Sequence, residues 1–405
     1  MKIYRCRNCK KKNLKTLFSL GNQYFTGKFL KNGEKVKKAK INLCICTQCK
    51  LVQLRDQYDL KYMYGPDYGY RTGINKTMSS HVKNITKYLS KKVNLKNRDY
   101  VLDIASNDGT LLNYYKTNIN TFGVDPILDK YKRFYKKISF TSNNFFSKSA
   151  VTSKTKKKFK IITALSVFYD LNDPNKFLKD VHYILDKKGL FLLEFADLAS
   201  LIKLNMFDTI CHEHAEYYST KVLLDMFDKN NFKIIQINKN DINGASKQYL
   251  LSRKDSIFKS NKNNIKKILN EEKKLKLDDP KIYISFFKRI KKIGKQLKSF
   301  INTQSYKNKI IHGYGASTKG NTLLQFFKIG RKEVEYISDR NPDKYGLKTP
   351  GTNITIISEK TSRLKKPDFY LVLPWHFKKE ILSRELKIRN KGTKFIFPLP
   401  KLKII

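Results

Sequence analysis

Short apolar runs alternate with segments of helical periodicity through the middle of the chain. The runs are 100–104, "TFGV", "KIITAL" and "LFLLEFADL". Between the last two, "DPNKFLKDVHYILDKKG" predicts a helix that is capped by Asp173, has Pro174 in its first turn and ends at Gly189. Because the strands are apolar throughout and alternate with helices, we predict a doubly wound α/β domain with a parallel sheet.

A second α/β pattern follows in the last quarter of the chain. Residues 254–303 are rich in lysine, with apolar residues at helical spacing, and predict linking helices with a solvated face. Apolar strands then recur in "KIIHGYG", "VEYISD", "DFYLVLPW" and "KFIFPLP". We therefore expect three parts: a module at 1–70, an α/β domain at 71–253, and helices with a second α/β domain at 254–405.

Four of the six cysteines form two pairs in the first part, Cys6-x-x-Cys9 and Cys46-x-x-Cys49. Each pair offers two thiolates from a tight knuckle, and two knuckles complete a tetrahedral site for Zn²⁺. Four sulfurs fill that shell, so we predict a structural zinc ion; the alternative is free thiols. Cys44 is either a spare ligand or a small buried residue.

The charge of the chain is strongly positive. Lys and Arg number 84 against 34 Asp and Glu, a formal net charge of +50. Such a charge suits a polyanion such as nucleic acid, but the lysines are dispersed and accompanied by many Asn and Ile, which is typical of a compositional bias. We expect weak nonspecific polyanion binding and no specific nucleic-acid partner.

Two absences bear on location. The N-terminal "MKIYRCRNCK" has no apolar core of a signal peptide, and no uncharged apolar run is long enough to span a bilayer. We predict a soluble cytoplasmic protein without a membrane partner.

The first Gly-containing turn of the central domain predicts a cofactor site. A strand ends in an acid, turns through "SNDG", where Thr110 is a candidate cap for a following helix, and the next strand also ends in an acid. Open α/β sheets bind nucleotides at this edge, and the second acid is placed to hold ribose hydroxyls. With little glycine for a pyrophosphate, the turn favours S-adenosylmethionine (SAM) over NAD. The predicted cofactor ligands are Asp103, Ser106, Asn107, Gly109 and Asp125.

The second turn, "GYGASTKG", lies between a strand and a helix and lacks the G-x-G-x-x-G spacing. The amides at the start of that helix, with Ser317, Thr318 and Lys319, would suit a diphosphate; the alternative is a tight turn that needs glycine for its geometry alone. Trp375 and His376 are candidates to line the same crevice, and Trp375 could equally belong to the core.

The stretch "FDTICHEHAEYYS" concentrates His212, Glu213, His214 and Glu216. It could form a metal site, an acid–base site or a polar turn. Zinc-binding histidines on a helix are four residues apart, whereas these two are two apart, so the spacing disfavours that type of metal site.

Several motifs in the same order resemble the SAM-dependent sugar C-methyltransferases. They are "CTQCKLVQL", "MYGPDYGYRTG", "VLDIASNDGTLL" with "GVDP", "FDTICHEHAEYYS", "DINGAS", "GYGASTKGNTLL", "PGTNI", "LPWHFKKEI" and "FPLP". The resemblance implies a zinc-binding module, a Rossmann-like class I SAM methyltransferase domain and a C-terminal Rossmann-like α/β domain without NAD.

The resemblance also implies a reaction. The substrate would be a nucleoside-diphosphate 4-keto-6-deoxysugar, whose α-carbon loses a proton to a base and attacks the methyl of SAM. His214 would be the base and Glu213 its orienter or acid–base partner, while Tyr68 or Tyr70 would supply a catalytic phenol. Two departures, Cys211 where family members carry tyrosine and Asp170 where many carry histidine, put the sugar and the methylated carbon in doubt.

Two other functions fit parts of the sequence. An RNA methyltransferase would suit the zinc module and the charge, although the charge is dispersed. A non-catalytic nucleotide-binding module is the other, against which the acids Asp103 and Asp125 argue. We expect a monomer or a weak oligomer.

Overall fold

The computed structural model describes residues 1–65 and 68–405. Residues 66 and 67 lie outside it; they belong to "MYGPDYGYRTG", which we call the tyrosine-rich segment. The N-terminal module is a small antiparallel sheet followed by one helical turn. Its elements are β1 (Leu14–Tyr24), β2 (Lys38–Cys46), β3 (Val52–Leu54) and α1 (Leu60–Met63).

The central domain is built on one mixed sheet flanked by helices. Its helices are α2 (Lys76–Lys92), α3 (Leu128–Tyr131), α4 (Lys148–Thr152), α5 (Pro174–Ile184), α6 (Leu198–Lys203) and α7 (Thr220–Lys229). Its strands are β4 (Tyr100–Ile104), β5 (Asn120–Val124), β6 (Phe140–Ser142), β7 (Phe159–Leu165), β8 (Leu185–Ala196), β10 (Phe232–Asn240) and β11 (Ser246–Arg253), while β9 (Glu216–Tyr217) pairs with β3 of the N-terminal module.

The strand order of the central sheet is β6-β5-β4-β7-β8-β11-β10. Neighbours from β6 to β8 are parallel, and β11 is antiparallel to both of its neighbours. The predicted α/β domain is therefore confirmed. Its strands are apolar throughout because both faces are covered: Val101 packs in one core cluster and Leu102 in the other.

Two local predictions in this domain are wrong. The helix α5 is capped by Asp173 as predicted, but it ends at Ile184, and Gly189 lies inside β8. A Cβ at Gly189 would lie 2.8 Å from the carbonyl oxygen of Phe159, so the glycine permits a close approach of two strands. Thr110 caps no helix, because its hydroxyl donates to Asp108 Oδ1 at 2.6 Å and only a 3₁₀ turn follows.

The C-terminal part begins with the two predicted linking helices, α8 (Lys262–Lys273) and α9 (Pro280–Tyr306). Its strands are β12 (Ile311–Tyr314), β13 (Tyr336–Asp339), β14 (Thr355–Ser358), β15 (Phe369–Val372), β16 (Lys394–Phe397) and β17 (Lys403–Ile404). Its other helices are α10 (Thr318–Phe327), α11 (Glu359–Leu364), α12 (Lys378–Arg384) and α13 (Leu386–Arg389). The sheet order β14-β13-β12-β15-β16-β17 is parallel except for the last strand.

The three parts share their cores. One cluster of buried side chains joins β1 and β2 to α9 and the C-terminal sheet, where the ring of Phe18 stacks on that of Phe287 at 4.6 Å. A second cluster joins Cys6 and Cys46 to Phe168 and Tyr218 of the central domain. The N-terminal module thus packs against both α/β domains. Within the described ranges, no helix combines the length and apolar character needed to cross a membrane.

Candidate functional site

The four paired cysteines meet in the N-terminal module. Their sulfurs all lie within 4.8 Å of one another, and the Sγ atoms of Cys6 and Cys49, like those of Cys9 and Cys46, are 3.5 Å apart. Zn–S bonds of about 2.3 Å in a tetrahedron place sulfurs about 3.8 Å apart, so this cluster has the size that zinc requires. Four thiolates leave no open position, which fits a structural ion.

Cys44 is not part of this cluster. Its thiol donates to the carbonyl oxygen of Gln53 at 3.3 Å, and burial raises its pKa to about 12. Gln53 instead supports the metal site, because its Nε2 donates to Cys6 Sγ at 3.2 Å. Of the two interpretations of Cys44, the small buried residue is the one that the structure bears out.

The zinc module is tied directly to the H-E-H segment. Strand β3 pairs with β9, which places Gln53 opposite Glu216. The buried Arg7 side chain donates to the carbonyl oxygens of Leu54 and Asp56, and its Nε lies 3.8 Å from Glu216 Oε1. The zinc site therefore holds the strand that follows His214.

The predicted cofactor turn is organised around Asp125. Its Oδ2 accepts from the backbone N–H of Asn107 and its Oδ1 from that of Ile127, each at 2.8 Å. Burial raises the pKa of this carboxyl to about 6. Each carboxylate oxygen retains a second lone pair, which suits the ribose hydroxyls of SAM. Gly109 is required by its φ of +71°, and a Cβ there would lie 3.0 Å from Ile138.

Two of the predicted cofactor ligands form hydrogen bonds to other side chains of the central domain. Asp103 Oδ1 accepts from Thr163 Oγ1 at 2.6 Å, and burial raises the pKa of Asp103 to about 7. The hydroxyl of Ser106 bonds that of Tyr135 at 2.8 Å. Both side chains therefore contact the protein rather than standing free at the edge of the sheet.

The tyrosine-rich segment and the residues that follow it are hydrogen-bonded to this turn. Asn107 Oδ1 accepts from the backbone N–H of Thr72 at 2.9 Å, and its Nδ2 donates to the carbonyl oxygen of Tyr70 at 3.1 Å. Asp108 Oδ2 accepts from the backbone N–H of Gly73 at 2.9 Å. The sequence did not indicate these hydrogen bonds of Asn107 and Asp108, because their partners lie more than thirty residues away along the chain.

His214 has the geometry of a base. Its Nδ1 lies 2.6 Å from the carbonyl oxygen of Thr209, and its ring packs on that of Tyr169 with centroids 4.3 Å apart. Because a carbonyl can only accept, Nδ1 carries the hydrogen and Nε2 carries the lone pair. Burial lowers the pKa of His214 to about 3, so its imidazole is neutral at pH 7.

Glu213 does not orient His214. Thr26 of the N-terminal module donates its hydroxyl to the Glu213 carboxyl, at 3.2 Å from Oε1 and 3.1 Å from Oε2, and burial raises the pKa of that carboxyl. The contact on His214 Nδ1 comes from the carbonyl oxygen of Thr209, and the acid–base role of Glu213 stays a prediction.

His212 points into the N-terminal module. Its Nε2 lies 3.1 Å from the carbonyl oxygen of Ala39, and its ring packs edge-on against Phe25 and Tyr58 at 4.4 and 5.0 Å. The two histidines thus have separate surroundings. In the part of the chain that the structure describes, the cysteine cluster is the only group of three or more potential metal ligands.

The tyrosines divide between two cavities. Tyr68 lines one together with Glu213, and Tyr70 lines another that faces the C-terminal domain. Beside Tyr68, Tyr64 donates its hydroxyl to Asp170 Oδ2 at 2.7 Å, and burial raises the pKa of Asp170 well above its usual range. Tyr68 is therefore the candidate phenol nearer to the H-E-H segment.

The cavity that Tyr70 lines is a cleft between the tyrosine-rich segment and the C-terminal turn. Ser317 and Thr318, at the start of α10, are among its lining residues. Four cations also line it: Arg71, Arg340, Lys344 and Arg384. Backbone amides and guanidinium groups suit an anionic diphosphate.

The second turn repeats the construction of the first. Asp339 Oδ2 accepts from the backbone N–H of Ala316 and Oδ1 from that of Asn341, each at 2.7 Å. A Cβ at Gly315 would lie 2.6 Å from Pro374, and its φ is +81°, so this glycine is also needed for geometry.

Three residues predicted near this crevice lie elsewhere. Trp375 is buried and donates from its indole to Asp208 Oδ2 at 2.9 Å, which makes it part of the core. His376, next to it, is not among the residues that line the cleft, nor is Lys319. The Nζ of Lys319 crosses instead to the central domain, where it donates to the carbonyl oxygen of Asn243 at 2.7 Å.

Three family models match consecutive parts of the chain. A zinc binding domain matches residues 6–64, a methyltransferase domain matches 74–237, and a C-methyltransferase C-terminal domain matches 241–400. The C-methyltransferase NovU of Streptomyces niveus is 24% identical over 417 residues, which is 100% of this chain and 97% of that protein.

Solved structures of methyltransferases are similar to part of the chain. A S-adenosylmethionine-dependent methyltransferase from Clostridium acetobutylicum ATCC 824 is 14% identical and covers 43% of this chain and 92% of its own, with a TM-score of 0.36. Magnesium protoporphyrin IX methyltransferase from Synechocystis PCC 6803 with bound SAH is 13% identical and covers 44% of this chain and 88% of its own, with a TM-score of 0.34.

The family matches agree with the class I methyltransferase strand order of the central sheet and with the cysteine cluster. The enzyme therefore uses SAM and binds zinc through its N-terminal module. The chain is therefore a SAM-dependent methyltransferase in which a zinc-binding module, a methyltransferase domain and a C-methyltransferase C-terminal domain follow one another, and it is similar over its whole length to a C-methyltransferase.

Proposed function

We propose that this enzyme adds a methyl group to a carbon of a nucleoside-diphosphate 4-keto-6-deoxysugar by way of an enolate. The observation that carries the proposal is His214, a buried neutral imidazole whose ring packs on Tyr169, a residue that follows β7, the strand next to β4. Methylation at carbon needs a carbon nucleophile, and a carbon next to a ketone becomes one when a base removes its proton. The sugar class rests on the motifs that resemble sugar C-methyltransferases.

The proposed base is Nε2 of His214. The hydrogen bond from Nδ1 to the Thr209 carbonyl fixes the tautomer, and the Tyr169 ring fixes the plane of the imidazole. Because burial keeps the free imidazole neutral, the basic form is present at pH 7 without prior deprotonation. As the proton moves to Nε2, the negative charge that forms on the substrate stabilises the imidazolium.

The cofactor site is assigned to Asp125, Asn107 and the backbone of the turn between β4 and β5. SAM supplies the methyl group as an electrophile. Asp125 is placed to hold the ribose, and Asn107 joins the turn to the tyrosine-rich segment through Thr72 and Tyr70.

The nucleoside diphosphate is assigned to the cleft of the C-terminal domain. The amides at the start of α10 and the guanidinium groups that line the cleft would hold the two phosphates. Tyr70 lines the same cleft, so a bound nucleotide would contact the segment that covers the SAM turn.

The test is a screen of NDP-4-keto-6-deoxysugars with SAM, in which mass spectrometry detects one added methyl. We expect His214→Asn to lower turnover by about 10²–10⁴-fold, the usual contribution of a general base, with SAH affinity unchanged. His182→Asn, on α5 away from the site, is the matched control and should leave turnover unchanged.

Calorimetry with SAH present separates this function from RNA methylation. Affinity for a nucleoside diphosphate supports the proposal. Binding of RNA alone, with an affinity that falls steeply as salt rises, would refute it.

A further inference from the structure

Lys319 is a cation of the C-terminal domain that enters the central domain. It lies in the first turn of α10, directly after Ser317 and Thr318 of the cleft. Its Nζ donates to the carbonyl oxygen of Asn243, in the 3₁₀ turn Ile242–Gly244 between β10 and β11. The side chain therefore spans the boundary between the nucleotide cleft and the methyltransferase domain.

The surroundings of Lys319 belong to the H-E-H segment. Its charge lowers the pKa of His214 and of His376, while Asp208 and Cys211 act in the opposite sense on the pKa of Lys319 itself. The geometry places Lys319 on the same side: a Cβ at Gly244, in the turn that Lys319 contacts, would lie 3.4 Å from the ring of Trp375. The Trp375 indole donates to Asp208, and the carbonyl oxygen of the next residue, Thr209, bonds His214 Nδ1.

The Lys319 ammonium has more N–H groups than the acceptors found for it among the described residues. It carries three N–H groups, and among the described residues the Asn243 carbonyl is the one hydrogen-bond acceptor found for it. Asp208 does not take another of these groups: its Oδ2 accepts from Trp375, and its buried Oδ1 has no partner within the described ranges. A lysine beside a base with unused donors is equipped to bind an anion that forms there.

We propose that Lys319 stabilises the enolate oxygen of the substrate, in the reaction proposed above for this site. The Cα–H pair of electrons moves into the carbon–carbon bond as His214 Nε2 takes the proton, and the carbonyl π pair moves onto oxygen. Lys319 donates a hydrogen bond to that oxygen and keeps its own proton. When the carbon attacks the methyl group the carbonyl is restored, SAH leaves, and His214 returns its proton to solvent.

This assignment separates Lys319 from the cations that line the cleft. Lys344 lines the cleft and donates to the carbonyl oxygen of Ala316 at 2.7 Å, so it is placed for the diphosphate. Lys319, next to Thr318 in α10, points to the other side. A nucleotide that seats against Ser317 and Thr318 would thus fix the helix turn that carries the oxyanion donor.

The test measures the two functions separately. In D₂O with SAH bound, exchange of the sugar's α-hydrogen reports enolate formation without methyl transfer, and calorimetry reports nucleoside-diphosphate affinity. We expect Lys319→Met to slow exchange at saturating sugar by about 10²–10³-fold, as for the loss of one oxyanion donor, with nucleotide affinity unchanged. Lys344→Met should weaken nucleotide binding and retain exchange at saturation.

Two controls keep the result interpretable. Lys328→Met, at the exposed C-terminal end of the same helix, should change neither readout. Lys319→Arg retains the charge and should recover part of the exchange that Lys319→Met loses. If Lys319→Met unfolds, folded Lys319→Gln takes its place and should lose exchange with nucleotide binding intact.

Wild-type exchange in Lys319→Met, or a loss of nucleotide affinity in place of exchange, would overturn the assignment while leaving the proposed function standing. Absence of both exchange and nucleotide binding in the wild type would instead refute the proposed function, and the role of Lys319 with it.

Discussion

Replacement of Asp125 by asparagine tests the cofactor site at its centre. The carboxylate accepts two backbone N–H groups at 2.8 Å and is placed to accept from ribose hydroxyls as well. Asparagine offers one acceptor oxygen, so one amide of the turn would face an NH₂ group. Hydrogen bonds to a charged group contribute about 1.5–3 kcal/mol, which corresponds to about 10- to 150-fold in affinity.

The assay is calorimetric titration of SAH into the wild type and Asp125→Asn. We expect SAH affinity to fall by that factor. Asp129→Asn is the matched control, because Asp129 is an exposed acid one turn further along the chain. Equal SAH affinity in the wild type and Asp125→Asn would refute the assignment of the ribose to Asp125.

The same residue predicts a pH dependence. Because burial raises its pKa to about 6, the carboxylate is present above pH 6 and is lost below it. SAH affinity should therefore decline as the pH falls below about 6, by up to about tenfold per pH unit. The effect on folding has the opposite sign: a raised carboxyl pKa favours the folded state as the pH falls from 6 towards the unfolded value of 3.8. Weaker binding at pH 5 is thus not explained by loss of the fold through this group, and Asp125→Asn should abolish the dependence.

Three further predictions concern metal, packing and acid stability. Chelation of zinc should lower the melting temperature and abolish methyl transfer, and Cys49→Ser should lose zinc by elemental analysis where Cys44→Ser retains it. Thr26→Val removes the hydroxyl that donates to buried Glu213 and should lower the free energy of unfolding by about 1–3 kcal/mol in a denaturant titration; an unchanged midpoint would contradict the contact. The pKa of His214 is about 3 in the folded state and 6.5 in the unfolded state. Below pH 6.5 the unfolded state therefore binds a proton that the folded state does not, and the free energy of unfolding decreases as the pH falls. At about pH 5 the loss is about 2 kcal/mol, and His214→Asn should show a correspondingly smaller loss between pH 7 and pH 5.

The fold followed closely from local sequence signals. Apolar runs bounded by Gly, Pro or acids located the strands of both α/β domains, because buried parallel strands have few other compositions. The cysteine spacing located the metal site, since each knuckle is a local structure. The errors at Gly189 and Thr110 were also local: a glycine served a close strand approach instead of a helix end, and a threonine bonded Asp108 instead of a helix.

The sequence predicted only part of the candidate site. His214, Asp125 and Gly109 stood in motifs, whereas other polar contacts around the site join segments that are far apart in the sequence. Thr26 of the N-terminal module reaches Glu213, and Lys319 of the C-terminal domain reaches Asn243. Such contacts depend on how the three parts of the chain pack together. The hydrophobic periodicity of one segment does not show which segment of another part it will contact.

The most direct test of the central claim is the destination of the methyl group. The enzyme is incubated with SAM labelled with carbon-13 in its methyl group and with an NDP-4-keto-6-deoxysugar, and the product is examined by NMR for a carbon–carbon bond to the label. We expect one labelled methyl on the carbon next to the keto group, at a rate that His214→Asn reduces. A label bonded to oxygen or nitrogen, or transferred to RNA and to no nucleotide sugar, would contradict it.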